Sequence, residues 1–362
     1  MSNSDIRVVP GPANYFSHPG SLERLSDFFS ADQLSRAVWV YGERALAGAE
    51  PFLPAAFHLP EAKKILFTGH CSERDVAGLV QASGDDRAVV IGVGGGALLD
   101  SAKVLARRLG VPLVAIPTIA ATCAAWTPLS VWYSDAGQAL NFEIFDDANF
   151  LVLVEPRIIL NAPAEYLLAG IGDTLAKWYE AVVLAPQPKA LPLTVRLGIN
   201  GALAIRDVLL ASSETALADQ RRGDLTQAFR DVVEAIIAGG GMVGGLGERY
   251  TRVAAAHAVH NGLTVLPQTD KFLHGTKVAY GILVQSALLG QDDVLAQLVQ
   301  AYQRFNLPTT LAALEVDINN RAELDRVIAH TLRPGESIHY LPVTLTPEVL
   351  RAAFEKVEYF SR

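Results

Sequence analysis

The sequence predicts an α/β protein: residues 1–160 form a doubly wound parallel sheet, and residues 161–362 form an all-α domain. Three observations predict it. Up to about residue 160, short β-branched runs alternate with helical patterns, the rhythm of strands joined by crossover helices. A cluster of glycines directly follows one of those runs and opens a helix. After Asn161-Ala162-Pro163 the strand-like runs stop and helical spacing dominates. A chain of 362 residues has room for two such domains, each with its own core.

In chain order, Val38 to Tyr41, Ile65 to Phe67, Val89 to Ile91 and Leu113 to Ile116 read as buried strands, each bounded by Gly, Pro or polar residues. Ala97 to Leu109, between the last two, reads as a helix. Leu129 to Tyr133 and Leu151 to Val154 are expected as further strands, the first within a hairpin over the ligand site. Asn161 can cap a helix and Pro163 can occupy its first turn. Helices are then expected over Leu167 to Leu184, Thr194 to Leu210, Leu225 to Ile237 and Lys277 to Leu289. The run Gly239-Gly240-Gly241-Met242-Val243-Gly244-Gly245 follows no strand. It is expected to serve close helix packing or a kinked turn rather than a nucleotide.

Half the residues are apolar and 19% are charged, which fits a folded enzyme and argues against disorder. The net charge of −8, with no basic stretch, gives no electrostatic footprint for nucleic acid. No run of 18 or more apolar residues marks a membrane span. Met1-Ser2-Asn3-Ser4-Asp5 lacks the basic and apolar segments of a secretory signal. Two cysteines, Cys71 and Cys123, are too few for a disulfide framework or a cysteine zinc site. A cytoplasmic location is the expectation, with self-association into a homo-oligomer left open.

Gly92-Val93-Gly94-Gly95-Gly96 follows the Val89 to Ile91 run, and Asp100 and Lys103 come next on the helix. Glycines there let the backbone approach a diphosphate, and a helix N-terminus offers unpaired N–H groups and a favourable dipole. The spacing is not the G-x-G-x-x-G of dinucleotide folds, so a tight turn without a ligand stays open. Glu43, just past the Val38 to Tyr41 strand, is placed to hold an adenosine 2′-hydroxyl and would favour NAD. Arg44 beside it would instead accept the 2′-phosphate of NADP. A solvated Glu–Arg pair is the third reading of that position.

Asp173 lies inside an apolar helical run, where a carboxylate is costly unless paired or ligated. His257 and His260, three residues apart, share roughly one helix face, and His274 stands at the entry to the next helix. Two imidazoles and one carboxylate are the composition of a catalytic zinc site with an open position. No short ligand motif such as H-E-x-x-H accompanies them. A buried Asp on a backbone donor, with histidines satisfied by the core, therefore stays open as well.

Taken together, these residues resemble the glycerol dehydrogenase branch of the iron-containing (group III) alcohol dehydrogenase superfamily. The resemblance runs through Pro10-Gly11-Pro12-Ala13-Asn14-Tyr15, Cys71-Ser72-Glu73, the glycine loop with Asp100, Ala102 and Lys103, and Pro117-Thr118-Ile119-Ala120-Ala121-Thr122. It continues in Gly170-Ile171-Gly172-Asp173, Ala256-His257-Ala258-Val259-His260-Asn261-Gly262 and His274-Gly275. Within the branch the chain is most similar to hydroxycarboxylate dehydrogenases that reduce 2-oxo acids with NADPH.

The resemblance implies a nucleotide-binding domain followed by an all-α domain, the architecture shared with dehydroquinate synthase. It implies Asp173, His257 and His274 as metal ligands, and Glu43, Gly94, Gly95, Thr118, Leu129 and Tyr133 as cofactor contacts. Arg44, Gly96, Asp100 and Thr122 complete the expected cofactor set. Zinc suits the ligand types, with iron, nickel or manganese as alternatives.

Two departures bear on the substrate. Glycerol dehydrogenases have an aspartate that meets the polyol where this chain has Cys123, followed by the bulky Trp126. A lysine that follows their third loop glycine is Ala97 here. Cys123 and Trp126 are therefore expected beside the substrate, and glycerol is put in doubt.

Lys177 lies four residues after Asp173, so the two should share a helix face. Iron-type relatives place a further metal-binding histidine at that offset, and a protonated lysine cannot ligate. Lys177 is expected either to meet a 2-oxo acid's carboxylate or to form an ordinary Asp–Lys helix pair. His260, one turn from His257, is the candidate for passing a proton to the product, with orientation of the site as its other reading. His330 and His339 read as surface or packing residues, and Lys271 and Lys277 as solvated charges.

The expected activity is NADPH-dependent reduction of small 2-oxo acids to 2-hydroxy acids, with NADH as the alternative donor. Its rivals are an NAD-dependent polyol dehydrogenase, a dehydroquinate synthase-like lyase, and a silent nucleotide- or metal-binding sensor.

Overall fold

The β-branched runs pair into one six-stranded, all-parallel sheet. In chain order the strands of this computed structural model are β1 (Asn14–Ser17), β2 (Ala37–Tyr41), β3 (Lys63–Leu66), β4 (Val89–Gly94), β5 (Leu113–Pro117), β6 (Leu129–Tyr133), β7 (Ala139–Ile144) and β8 (Leu151–Val154). The sheet order is β1-β8-β5-β4-β2-β3, and β6 and β7 form a separate antiparallel hairpin. β4, β5 and β8 are buried from end to end, as expected of parallel strands covered on both faces. The edge strand β3 instead exposes Lys63 and Lys64, which discourages further pairing. One face carries Trp39, Ile91, Val93, Ile116 and Leu153 in a continuous apolar cluster with Leu25, Phe29 and Phe57.

The structure describes residues 6–135, 137–185 and 190–362, so the Met1 to Asp5 start lies outside the described residues. Two compact units divide the chain. The sheet unit comprises Val9–Pro163 and Asp219–Met242; the other comprises Ala164–Ala218, Val243–Arg362 and residues 6–8. The chain leaves the sheet unit after Pro163 and returns to it for Asp219–Met242, a second crossing that a single division at residue 160 does not contain. No described helix is long and apolar enough to cross a membrane.

The helix α1 (Gly96–Leu109) packs on β4 and β5. Asn161 caps no following helix. Its N–H closes the short helix Pro156–Leu160 on the Arg157 carbonyl, and the next helix starts at Ala164, directly after Pro163. In the glycine run, one wide turn over Ala235–Gly239 leads into a helix over Gly240–Gly247, and Gly241 packs on the Trp126 ring.

The second unit shows no strand among its described residues. Its helices include α2 (Ala164–Leu184), α3 (Ala255–Leu263) and α4 (His274–Leu288). α4 is apolar around nearly its whole circumference, and α2, α3, Asp292–Phe305 and Pro347–Phe360 all pack on it. It is the axis of the unit, and its first residue is His274.

Candidate active site

The crossing of α2, α3 and α4 brings Asp173, His257 and His274 together. Asp173 Oδ1 lies 3.5 Å from His257 Nε2 and 3.3 Å from His274 Nε2. One ligand atom from each residue lies within 4.8 Å of the others. Asp173 is only 6% exposed, and its Oδ1 is buried without a hydrogen-bond partner. A buried carboxylate oxygen that makes no hydrogen bond is costly. A divalent cation coordinated by that oxygen and the two ring nitrogens removes the cost and leaves further positions open, so these residues fit such an ion.

The three groups also perturb one another electrostatically. Burial works against charge on Asp173, but His257 and His274 outweigh it and hold its carboxyl well below the ordinary range. Burial also opposes charge on His257, and the carboxylates of Glu180 and Asp173 more than offset it, raising the ring to about 9. Such mutual perturbation is what functional sites show.

Glu180, two turns after Asp173 on α2, is fully buried and sets the His257 ring. His257 Nδ1 donates to its Oε2 at 2.7 Å, while its Oε1 accepts from the backbone N–H groups of Ala254 and His257 at 2.6 and 3.1 Å. Gln285 of α4 accepts from the N–H groups of Ala255 and Ala256 and donates to the Tyr179 carbonyl. Two neighbouring helices thus satisfy the unpaired first turn of α3, where His257 sits. The Glu180 contact fixes a proton on His257 Nδ1, so Nε2 is the nitrogen turned toward Asp173 and the one a metal would displace a proton from. Glu180→Gln is expected to weaken divalent-metal affinity about 10–100-fold with secondary structure intact. Chelator competition and far-UV circular dichroism measure this, and an unchanged affinity would contradict the role.

His260 does not stand free. Its Nε2 is 3.1 Å from His274 Nδ1 and its Nδ1 is 3.0 Å from Asn261 Oδ1. Burial first, then His274, Lys277 and His257, keep it well below the usual imidazole range, so it is neutral. Both ring nitrogens lie within hydrogen-bond distance of protein partners. The His274 contact fits the reading of His260 as a residue that orients the site. Lys177 is half-buried and makes no hydrogen bond or ion pair among the described residues. Lys277 is buried and donates to the Thr269 carbonyl, and burial lowers its ammonium. Lys271 pairs with Glu315.

In the sheet unit, the glycine loop joins β4 to α1. The N-cap residue of α1, Gly95, has no side chain to cap it, and no side-chain acceptor among the described residues meets the opening turn, which suits an anion. A Cβ on Gly94 would approach Leu98 to 2.9 Å, and one on Gly95 would approach Ile119 to 2.8 Å. Strand–helix packing alone therefore explains two of the glycines. Gly94, Gly95, Gly96 and Thr122 line a small crevice. Thr118 donates its N–H to the Gly94 carbonyl. Glu43 and Arg44 lie just past β2, whose Tyr41 is in register with Val93. Both are exposed and unpaired among the described residues.

Other residues of the expected cofactor and substrate sets also have protein partners. Asp100 accepts from Lys103 Nζ at 2.8 Å and from the Val131 N–H at 3.1 Å, and Lys103 also donates to the Leu129 carbonyl. Asp100 thus ties the β6–β7 hairpin to α1. Tyr133 stacks on His70. Trp126 is buried, its indole N–H donating to the Pro10 carbonyl at 2.8 Å and its ring lying against Gly11 and Gly241. Neither Trp126 nor the partly exposed Cys123 lines the loop crevice. Sequence reasoning passes over Glu180, Gln285, Asn261 and Glu336. Only Glu180 carried a signal, an acid seven residues from Asp173 in the same apolar helix.

Residues 12–156 match the family model described as iron-containing alcohol dehydrogenase. The chain is 80% identical to hydroxycarboxylate dehydrogenase A of Escherichia coli (strain K12), over 99% of both chains. It is 34% identical to the glycerol dehydrogenase of Pseudomonas putida, over 96% of each. The crystal structure of the Schizosaccharomyces pombe glycerol dehydrogenase matches at a TM-score of 0.85 and 29% identity, covering 99% of this chain and 92% of that one. The chain belongs to the iron-containing alcohol dehydrogenase family, on the branch that holds the glycerol and hydroxycarboxylate dehydrogenases, and is a dehydrogenase.

Proposed function

We propose that the protein is a metal-dependent oxidoreductase that reduces small 2-oxo acids to 2-hydroxy acids with NADPH, NADH being the alternative donor. The observation that carries this reading is the buried, unpartnered Asp173 Oδ1 facing two imidazole nitrogens. The family binds a nicotinamide nucleotide and a divalent metal, and the 80%-identical relative's name supplies the substrate class. Asp173, His257 and His274 would hold the ion, zinc best suiting the donor set, with iron, nickel and manganese as alternatives. When bound, the metal supplies polarisation of a keto group and the nucleotide supplies the hydride.

The chain's own residues do the rest. Glu180 and His260 take the Nδ1 protons of His257 and His274, so both rings present Nε2. The uncapped first turn of α1 holds the diphosphate, and Glu43 with Arg44 meets the adenosine ribose. Lys177, one helical turn from Asp173 and without another partner among the described residues, pairs with the substrate's carboxylate. A charge-assisted hydrogen bond of about 1.5–3 kcal/mol corresponds to roughly 10–100-fold in affinity.

The test is an NADPH and NADH oxidation screen of metal-reconstituted protein across 2-oxo acids, neutral aldehydes and dihydroxyacetone, with Lys177→Ala in parallel. We expect 2-oxo acids to be preferred, and Lys177→Ala to raise their KM roughly tenfold or more while neutral aldehydes change little. Equal losses on both would remove the Lys177 role. Preference for dihydroxyacetone would favour a polyol dehydrogenase, and no turnover on any carbonyl would sink the reading.

A further inference from the structure

We propose that Glu336 and Asn261 are positioning residues for His274, fixing through His260 which of its ring nitrogens carries the proton. The inference rests on the reading of Asp173, His257 and His274 as metal ligands. To ligate through Nε2, His274 must carry its proton on Nδ1. That nitrogen lies 3.1 Å from His260 Nε2, which must then accept, so the His260 proton sits on Nδ1, 3.0 Å from Asn261 Oδ1. An amide can turn over and exchange its oxygen for its NH2. Here Asn261 Nδ2 donates to Glu336 Oε2 at 2.9 Å. A carboxylate only accepts, so it faces only the NH2.

Glu336 is itself fixed. It is only 7% exposed, and Arg333 Nε and Nη2 reach its Oε1 at 2.7 and 2.6 Å. From His274 to Glu336 every link therefore runs donor to acceptor in one direction. Were the Asn261 amide reversed, its NH2 would face His260 Nδ1, the His260 proton would move to Nε2, and the His274 proton would move to its own Nε2. That proton would then point at Asp173 and occupy the side where the metal binds. Glu336 lies 62 residues beyond His274 in the chain and touches neither ring, yet it sets the polarity of the series.

The experiment uses the full chain. Zinc affinity is measured by chelator competition and the site by the visible absorption of the Co²⁺-loaded protein, with far-UV circular dichroism as the folding check. Glu336→Gln, whose amide can present an NH2 to Asn261, is expected to weaken zinc about 10–100-fold and change the Co²⁺ spectrum. Asn261→Leu should do the same and serves if Glu336→Gln does not fold. In a His260→Ala background the series is already cut, so Glu336→Gln should weaken zinc no further. A merely structural role for Glu336 would give the same loss in both backgrounds and would overturn the inference. So would wild-type affinity and spectrum in folded Glu336→Gln. If the wild-type chain binds no zinc, or Asp173→Asn leaves its affinity unmoved, the metal reading itself has failed.

Discussion

Gly275→Ala is expected to destabilise the helical unit by roughly 2–3 kcal/mol and to lower metal affinity, although an alanine in a helix ordinarily stabilises by about 1 kcal/mol relative to glycine. The sign reverses because of what the methyl group would meet. A Cβ on Gly275 would lie 1.9 Å from the Ala169 carbonyl oxygen and 2.9 Å from Asp173 Cβ. The first is backbone of α2 and cannot rotate away. On the other side of the crossing, a Cβ on Gly172 would come within 2.5 Å of the Gly275 carbonyl oxygen. α2 and α4 therefore touch backbone to backbone one residue from both Asp173 and His274. Separating them costs packing along the central helix and spreads the ligand atoms apart. Urea unfolding with zinc titration of the folded variant measures both effects. A Gly275→Ala protein as stable as wild type, with unchanged zinc affinity, would show that the crossing does not assemble the site.

The parts of the fold that were legible in sequence are those where one physical force dominates. Parallel strands covered on both faces read as continuous apolar runs, so β2, β4, β5 and β8 stand out. β1, with polar ends and half-buried throughout, carries no such mark although it pairs with β8 along its length. The return of Asp219–Met242 to the sheet unit has no local signal either, because an amphipathic helix does not say which core it faces.

The site divides along the same line. Asp173 is legible because a carboxylate in an apolar helix demands a partner. Glu180 obeys that rule equally and is the residue the same argument should have reached. Asp100 beside the glycine loop pairs with Lys103 three residues later, a contact that helical spacing makes available but does not announce. Asn261 and Glu336 sit in ordinary polar surroundings in sequence, and only their tertiary contact gives them a role.

Asp173→Asn is expected to remove zinc-dependent turnover, lowering kcat/KM by about 10³-fold or more, and to abolish the stabilisation that zinc confers. The first effect follows from polarisation of the substrate carbonyl, worth several kcal/mol at about 1.4 kcal/mol per factor of ten. The second follows from linkage. An ion that binds only the folded chain stabilises it by about 2.7 kcal/mol at a hundredfold excess over Kd. Asparagine keeps the volume and an oxygen but removes the charge, so packing against Gly275 is retained while the ligand is lost. The two readings left open in the sequence now diverge. If Asp173 is a metal ligand, added zinc shifts the unfolding transition of wild type and leaves Asp173→Asn where it is with chelator. If Asp173 instead serves only to pair with His257 and His274, Asp173→Asn lowers stability equally with and without zinc, and no zinc shift is seen in either protein. Thermal unfolding of both chains, in zinc and in chelator, decides between them without reference to any substrate.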